Sequence, residues 1–268
     1  MITVKNVSAK IGDKTLLHDV SFTAQAGQVT GLIGPNGAGK STMLAVLSGD
    51  LDRCAGEVHI AGKDPATTIN RELARVRAVM LQDVGVSFQF LVRDVVAMGR
   101  RPWEGTDKHA LDDAIIDAAL EATDAAHLAG RDIATLSGGE RARVALSRVL
   151  AQQTPVIMLD EPTAALDIKH QEQVLGLVRN IALDAGVAVI VVLHDLNAAA
   201  AYCDHIVCLA DGKVASAGPV DEVYTSENLS TIYDWPIHVS HTGGVISVHP
   251  QRRRDTATAT SFVNLVKD

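Results

Sequence analysis

The chain lacks any long apolar run: Val187 to Leu193 is the longest wholly apolar stretch, far short of the roughly 18 to 20 residues that a membrane-crossing helix needs. Its first residues, Met1-Ile2-Thr3-Val4-Lys5-Asn6, lack the charged segment followed by an apolar one that marks a secretory leader. Cysteine is scarce. Cys54, Cys203 and Cys208 form neither an even framework nor a C-x-x-C pair, which excludes a disulfide scaffold and predicts reduced thiols in the cytoplasm. Positive charge is also short, 24 Lys and Arg against 32 Asp and Glu for a net charge of -8, so no nucleic-acid partner is expected. What remains is ordinary for a folded protein: 47% hydrophobic and 21% charged residues exclude disorder, and 268 residues suffice for one large domain or a core domain with an insertion.

The first 30 residues read as short strands broken by turn signals, Ile2 to Val7 and Val20 to Ala24 around Gly12-Asp13-Lys14, which predicts an antiparallel opening. Buried strands then alternate with helical stretches: Val29 to Ile33, a helix from about Lys40, and strands at Val79 to Leu81, Val156 to Leu159 and Val187 to Leu193. That alternation predicts an α/β core with a mostly parallel sheet. Between Gln82 and Leu150 the strand signal stops and helical spacing takes over, so an inserted helical subdomain is expected over about 83–150. A helix at Leu196 to Tyr202 and a hairpin turning at Asp211-Gly212 follow. Beyond Trp235 the pattern weakens to an edge strand or a loose tail.

Gly34-Pro35-Asn36-Gly37-Ala38-Gly39-Lys40-Ser41 matches G-x-x-x-x-G-K-[ST] and lies between a predicted strand and a predicted helix, where a phosphate loop must lie. Glycines let backbone N–H groups close on phosphate oxygens, and the helix that follows points its positive end at the same anion. Lys40 would reach the β- and γ-phosphates, and the Ser41 hydroxyl would ligate Mg²⁺. Downstream, the apolar run Val156 to Leu159 ends in Asp160-Glu161. Neighbouring strand residues point to opposite faces, so the two carboxylates are expected to have separate tasks, Asp160 toward Mg²⁺ and Glu161 toward the attacking water. A second anion site is expected at Leu136-Ser137-Gly138-Gly139-Glu140, where Ser137 and Glu140 have capping-box spacing and two glycines bare the first N–H groups of a helix.

Together, Gly34 to Thr42, Gln82, Leu136 to Glu140, Val156 to Glu161, Ala165-Leu166-Asp167 and His194 resemble, in order and spacing, the nucleotide-binding subunit of ABC transporters. The resemblance runs to about residue 240. It implies an ATPase domain over 1–240 and an extension over 241–268. It further implies a head-to-tail homodimer closing over two ATP molecules, with Gly34, Pro35, Asn36, Gly37, Ala38, Gly39, Lys40, Ser41 and Thr42 of one chain on each nucleotide. Ser137, Gly138, Gly139 and Glu140 of the second copy would contact that nucleotide. By the same resemblance Ser41, Gln82 and Asp160 would hold Mg²⁺, Glu161 would act as general base, Gln82 would contact the attacking water, His194 the γ-phosphate, and Asp167 the dimer seam. Ile11 stands where many family members stack an aromatic residue on adenine, so looser base selectivity is expected.

Phe88, Phe90, Leu91, Val92, Val95 and Val96, edged by Arg93, Arg100 and Arg101, fall where the family receives the coupling helices of a membrane permease. The alternative is ordinary core of the helical insertion. Asp94 to Pro102 is similar to importers of iron chelates, haem and cobalamin, and Tyr233 to Val239 to the haem branch. The expectation is therefore a peripheral ATPase on the cytoplasmic face of the membrane that drives haem uptake, with integral permease subunits and, indirectly, a periplasmic or lipoprotein substrate-binding protein. Iron-siderophore or cobalamin import is the alternative cargo. A soluble ABC ATPase acting on nucleic acid or ribosomes and a small-molecule kinase are the readings from other classes. His238, His241 and His249 are expected to face solvent rather than to ligate haem.

Overall fold

The computed structural model describes residues 1–81 and 89–252. β1 (Ile2–Ile11) and β2 (Lys14–Ala24) form the antiparallel opening, joined through Gly12-Asp13. β3 (Val29–Ile33) is buried along its whole length and feeds α1 (Lys40–Ser48). β4 (Arg53–Ile60) pairs with the other side of β1 to complete a three-stranded sheet, β2-β1-β4. The sequence patterns gave no sign of β4, because among its residues only Val58 and Ile60 are buried.

α2 (Asn70–Leu73), β5 (Ala78–Met80), α3 (Val92–Ala97), α4 (Asp112–Ala122), α5 (Gly138–Ala151), β6 (Val156–Asp160), α6 (Ile168–Ala185), β7 (Ala188–Val192), α7 (Leu196–Tyr202), β8 (His205–Ala210) and β9 (Lys213–Pro219) follow. The central sheet has the order β5-β6-β7-β3-β8-β9, parallel except for β9. Strand pleat sorts its side chains between two cores. Val29, Ile33, Ile157, Leu159, Val189, Val191, Ile206 and Cys208 pack toward α5, α6 and α7. Leu32, Val156, Met158, Ile190, Val192, Val207 and Leu209 pack toward α1 and the antiparallel sheet. Burial pushes the Cys203 and Cys208 thiols up to about 12 each, whereas Cys54 is exposed on β4.

The helical insertion has its own core, built by Val92, Val95 and Val96 of α3, Ile116 and Leu120 of α4, and Val144 and Ala151 of α5. This divides the apolar cluster expected as a permease surface. Its three valines are core, and Arg100 is buried, donating to Asp112 Oδ1 at 2.7 Å and to the Ala151 carbonyl at 2.8 Å. Arg93 pairs with Asp113 and Asp117. Phe90, Leu91 and Arg101 remain exposed, and Phe88 lies outside the described residues. The indole of Trp103 donates to the Gln152 carbonyl at the end of α5 at 2.8 Å, with Arg75, Arg100 and Lys108 over its ring.

The chain closes with α8 (Val220–Val223), α9 (Ser226–Tyr233) and a hairpin, β10 (Ile237–Thr242) and β11 (Val245–Pro250). Gly243 and Gly244 both adopt positive φ, 60° and 79°, as a two-residue hairpin turn of the right hand requires. The hairpin straddles residue 240, where an extension was expected to begin. His238, His241 and His249 are exposed on it. Among the described residues no helix is long and apolar enough to cross a membrane.

Candidate active site

The phosphate loop leaves the carboxyl end of β3, between β7 and β8 in the sheet. Its backbone explains its first glycine: Gly34 has φ 145°, and a Cβ there would lie 2.1 Å from the Leu209 carbonyl oxygen. Gly39 caps α1 in a left-handed conformation, and α1 carries neither a side-chain cap nor an acidic residue in its first turn. Its leading N–H groups therefore keep their electropositive field for an anion. Lys40 is buried, and its ammonium donates to the Gly34 carbonyl at 2.8 Å and the Pro35 carbonyl at 3.0 Å. Burial holds its pKa below the usual lysine range, against the opposing pull of Glu161 and Asp160.

A groove of about 320 Å³ joins this loop to Glu161 and His194; Asn36 to Thr42, Lys14 and Leu16 complete its lining. Lys14 and Leu16 escaped the sequence reading, though the Gly12-Asp13 turn that aims β2 at the loop is visible there. Ile11 is exposed at the end of β1, directly across from Lys14. Asp160 is buried, with the Ser41 hydroxyl beside it, and burial followed by the neighbouring Glu161 charge raises its pKa. Its Oδ1 has no hydrogen-bond partner. An orphaned buried carboxylate oxygen next to a serine hydroxyl is the hard-oxygen donor set that suits Mg²⁺, so Ser41 and Asp160 fit that ion.

Strand pleat does not separate the two carboxylates, contrary to the expectation above. β6 ends at Asp160, and Glu161 turns into the left-handed region with φ 49°. That conformation costs a non-glycine residue on the order of 1–3 kcal/mol and tends to persist at functional sites. The turn carries the Glu161 carboxylate to His194, whose Nε2 lies 2.5 Å from Oε1. Gln82 lies outside the described residues.

The second helix end is built as its spacing predicts. Ser137 Oγ accepts from the Glu140 N–H at 3.3 Å, and Glu140 Oε2 accepts from the Ser137 N–H at 2.7 Å. These bonds hold the Glu140 carboxyl below its usual range. Asp167 caps α6 by accepting from the His170 N–H at 2.9 Å. Ser137, Gly138, Gly139, Glu140, Leu166 and Asp167 share a groove of about 380 Å³ that has no lining residue in common with the phosphate-loop groove. Gly139 makes the close approach possible, since a Cβ there would meet the Ala165 carbonyl oxygen at 3.2 Å.

Residues 17–164 match the family model described as ABC transporter. The chain is 51% identical to the hemin import ATP-binding protein HmuV of Nocardia farcinica, over 84% of this chain and 78% of that one. It is 40% identical to the cobalamin import ATP-binding protein BtuD of Halobacterium salinarum, over 99% of this chain and 67% of that one. Among solved structures, a dimeric ATP-binding cassette captured after hydrolysis with ADP and Pi superposes with a TM-score of 0.74 at 27% identity, covering 82% of this chain and 99% of that one.

Proposed function

The chain belongs to the ABC transporter family as an ATP-hydrolysing subunit, and from that premise we propose that it drives hemin import through a separate membrane permease. The observation that carries the cargo is the 51% identity to a hemin import subunit across 84% of the chain. In this reading Lys40 leaves the Gly34 and Pro35 carbonyls for the β- and γ-phosphates, and the loop N–H groups and the α1 terminus hold the remaining oxygens. Ser41 and Asp160, with Gln82, would hold Mg²⁺, which when bound spreads the charge of the phosphates. Glu161 takes the proton of the attacking water, and His194, hydrogen-bonded to Glu161, orients it and contacts the γ-phosphate.

The separate groove at the start of α5 has its use in a head-to-tail dimer, where Ser137, Gly138, Gly139 and Glu140 of a second copy complete each ATP site and Asp167 lies at the seam. We read exposed Phe90, Leu91 and Arg101 as the contact to the permease, with the chain working on the cytoplasmic face of the membrane and a substrate-binding protein acting from the other side. We read residues 1–240 as the ATPase unit, with 241–268 as its extension. Glu161→Gln should lower hydrolysis roughly 10²- to 10⁴-fold and accumulate an ATP-bound dimer. Wild-type turnover by that variant would remove Glu161 as the base.

For the cargo, proteoliposomes holding the permease and this chain, loaded with ATP and given the substrate-binding protein outside, should take up hemin and leave cobalamin outside. The reverse preference would support the second reading, cobalamin import, which the 40% identity across 99% of the chain favours.

A further inference from the structure

The outer edges of the β10–β11 hairpin are bonded to side chains, one edge to Asn197 of α7 and the other to Ser226 and Ser230 of α9. In an antiparallel pair each residue directs its N–H and C=O to the same side, so a residue that does not bond across the pair offers both outward. Val248 is such a residue: its N–H donates to Asn197 Oδ1 at 2.8 Å, and its carbonyl accepts from Asn197 Nδ2 at 3.2 Å. The Asn197 carboxamide thus fills the place of a third strand's peptide group. On the opposite edge Ser226 Oγ accepts from the Val239 N–H at 2.9 Å and Ser230 Oγ from the Ile237 N–H at 2.8 Å. The buried side chains of Ile237 and Val248 join the core under α5, α6 and α7.

Asn197 lies in the first turn of α7, behind the cap residue Asp195, whose carboxylate accepts the Asn197 and Ala198 N–H groups. A second group from the C-terminal region holds the neighbouring residue: the buried Tyr224 donates its hydroxyl to the Leu196 carbonyl at 3.0 Å. Both residues that follow the cap are therefore fastened from outside the nucleotide site. His194 immediately precedes the cap, with its ring against Glu161.

We propose that the segment Tyr224 to Pro250 sets the position of His194 against Glu161, with Asn197 and Tyr224 as positioning residues; the inference rests on the hydrolytic role proposed above for that pair. Only the cap residue Asp195 and Leu196 stand between His194 and Asn197, so a shift at Asn197 carries to His194 with little attenuation. A displacement near 1 Å at a reacting group can cost about 10² in rate.

The test is single-turnover ATP hydrolysis by the full chain. Asn197→Ala should slow turnover roughly tenfold while equilibrium ATP binding changes by less than about twofold, because the phosphate loop is untouched. In a His194→Ala background the same change should add nothing, since both act through one imidazole. Tyr224→Phe, which removes a single hydroxyl, should show the same pattern with a smaller loss and serves if Asn197→Ala does not fold. Wild-type turnover in these variants, or losses that multiply with that of His194→Ala, would overturn the proposal. Wild-type turnover by His194→Ala itself would instead overturn the reading of the site on which the proposal stands.

Discussion

The chain has two helix ends suited to phosphate, and they are finished differently. α1 begins at a left-handed glycine, has no side-chain cap and no carboxylate in its first turn, and carries a buried lysine one residue on. α5 begins at a serine locked in a capping box, with Glu140 in its first turn. The first end has its donors and positive charge arranged for an anion. The second satisfies itself through Ser137 and Glu140, and its carboxylate opposes a free polyphosphate. A self-capped end of this kind suits a phosphate already neutralised by another lysine and metal, which is what a second chain's phosphate loop would present.

Breaking the first end should have the larger effect. Lys40→Ala removes the ammonium and should lower hydrolysis by at least roughly 10²- to 10³-fold, measured as steady-state phosphate release. Ser137→Ala should cost a smaller factor, roughly tenfold for one hydrogen bond to a charged oxygen, and lower the melting temperature by a few degrees for the lost cap. Mixing the two impaired variants sharpens the contrast. A mixed head-to-tail dimer contains one site with both ends intact, so activity should rise well above the mean of the two variants, whereas sites completed within a single chain would leave it at that mean.

The smallest effect is a pH dependence. The Glu140 and Asp167 carboxyls sit below their ordinary values because backbone N–H groups bond their charged forms. Such a group stabilises the fold above its unfolded pKa, and the contribution is lost as pH falls through the folded value. Amide-exchange protection of Glu140 and Arg141 should therefore drop as pH falls below the ordinary carboxylate range, ahead of that of Met43, whose helix has no carboxylate cap. Equal loss at both ends would erase the distinction.

The phosphate loop was legible because its chemistry is local: glycine spacing, strand before, helix after. The capping box at Ser137 was legible for the same reason. Glu161 was assigned from its place after an apolar run, yet its orientation comes from a left-handed turn that no strand periodicity signals. Val92, Val95 and Arg100 fit a permease surface and the core of the helical insertion equally by sequence, since an apolar stripe has the same spacing whether it faces a partner or a neighbouring helix; only the packing of α4 and α5 over them decides. The C-terminal hairpin was obscured by Ile-His-Val-Ser-His-Thr, in which four of six residues are polar. Its Gly243-Gly244 turn was a usable signal, whereas its edge partners, Ser226, Ser230 and Asn197, come from helices that only the tertiary fold brings alongside.

Burial of two of the three thiols also has a practical consequence. Cys203 and Cys208 are enclosed in the core and are almost wholly protonated at neutral pH, which leaves Cys54 on β4 as the accessible sulfur. The native chain therefore offers one addressable attachment point on its antiparallel sheet. Spin labels placed there on two copies would give a single inter-label distance, and that distance can be followed as nucleotide is added without altering any residue of either phosphate-binding end.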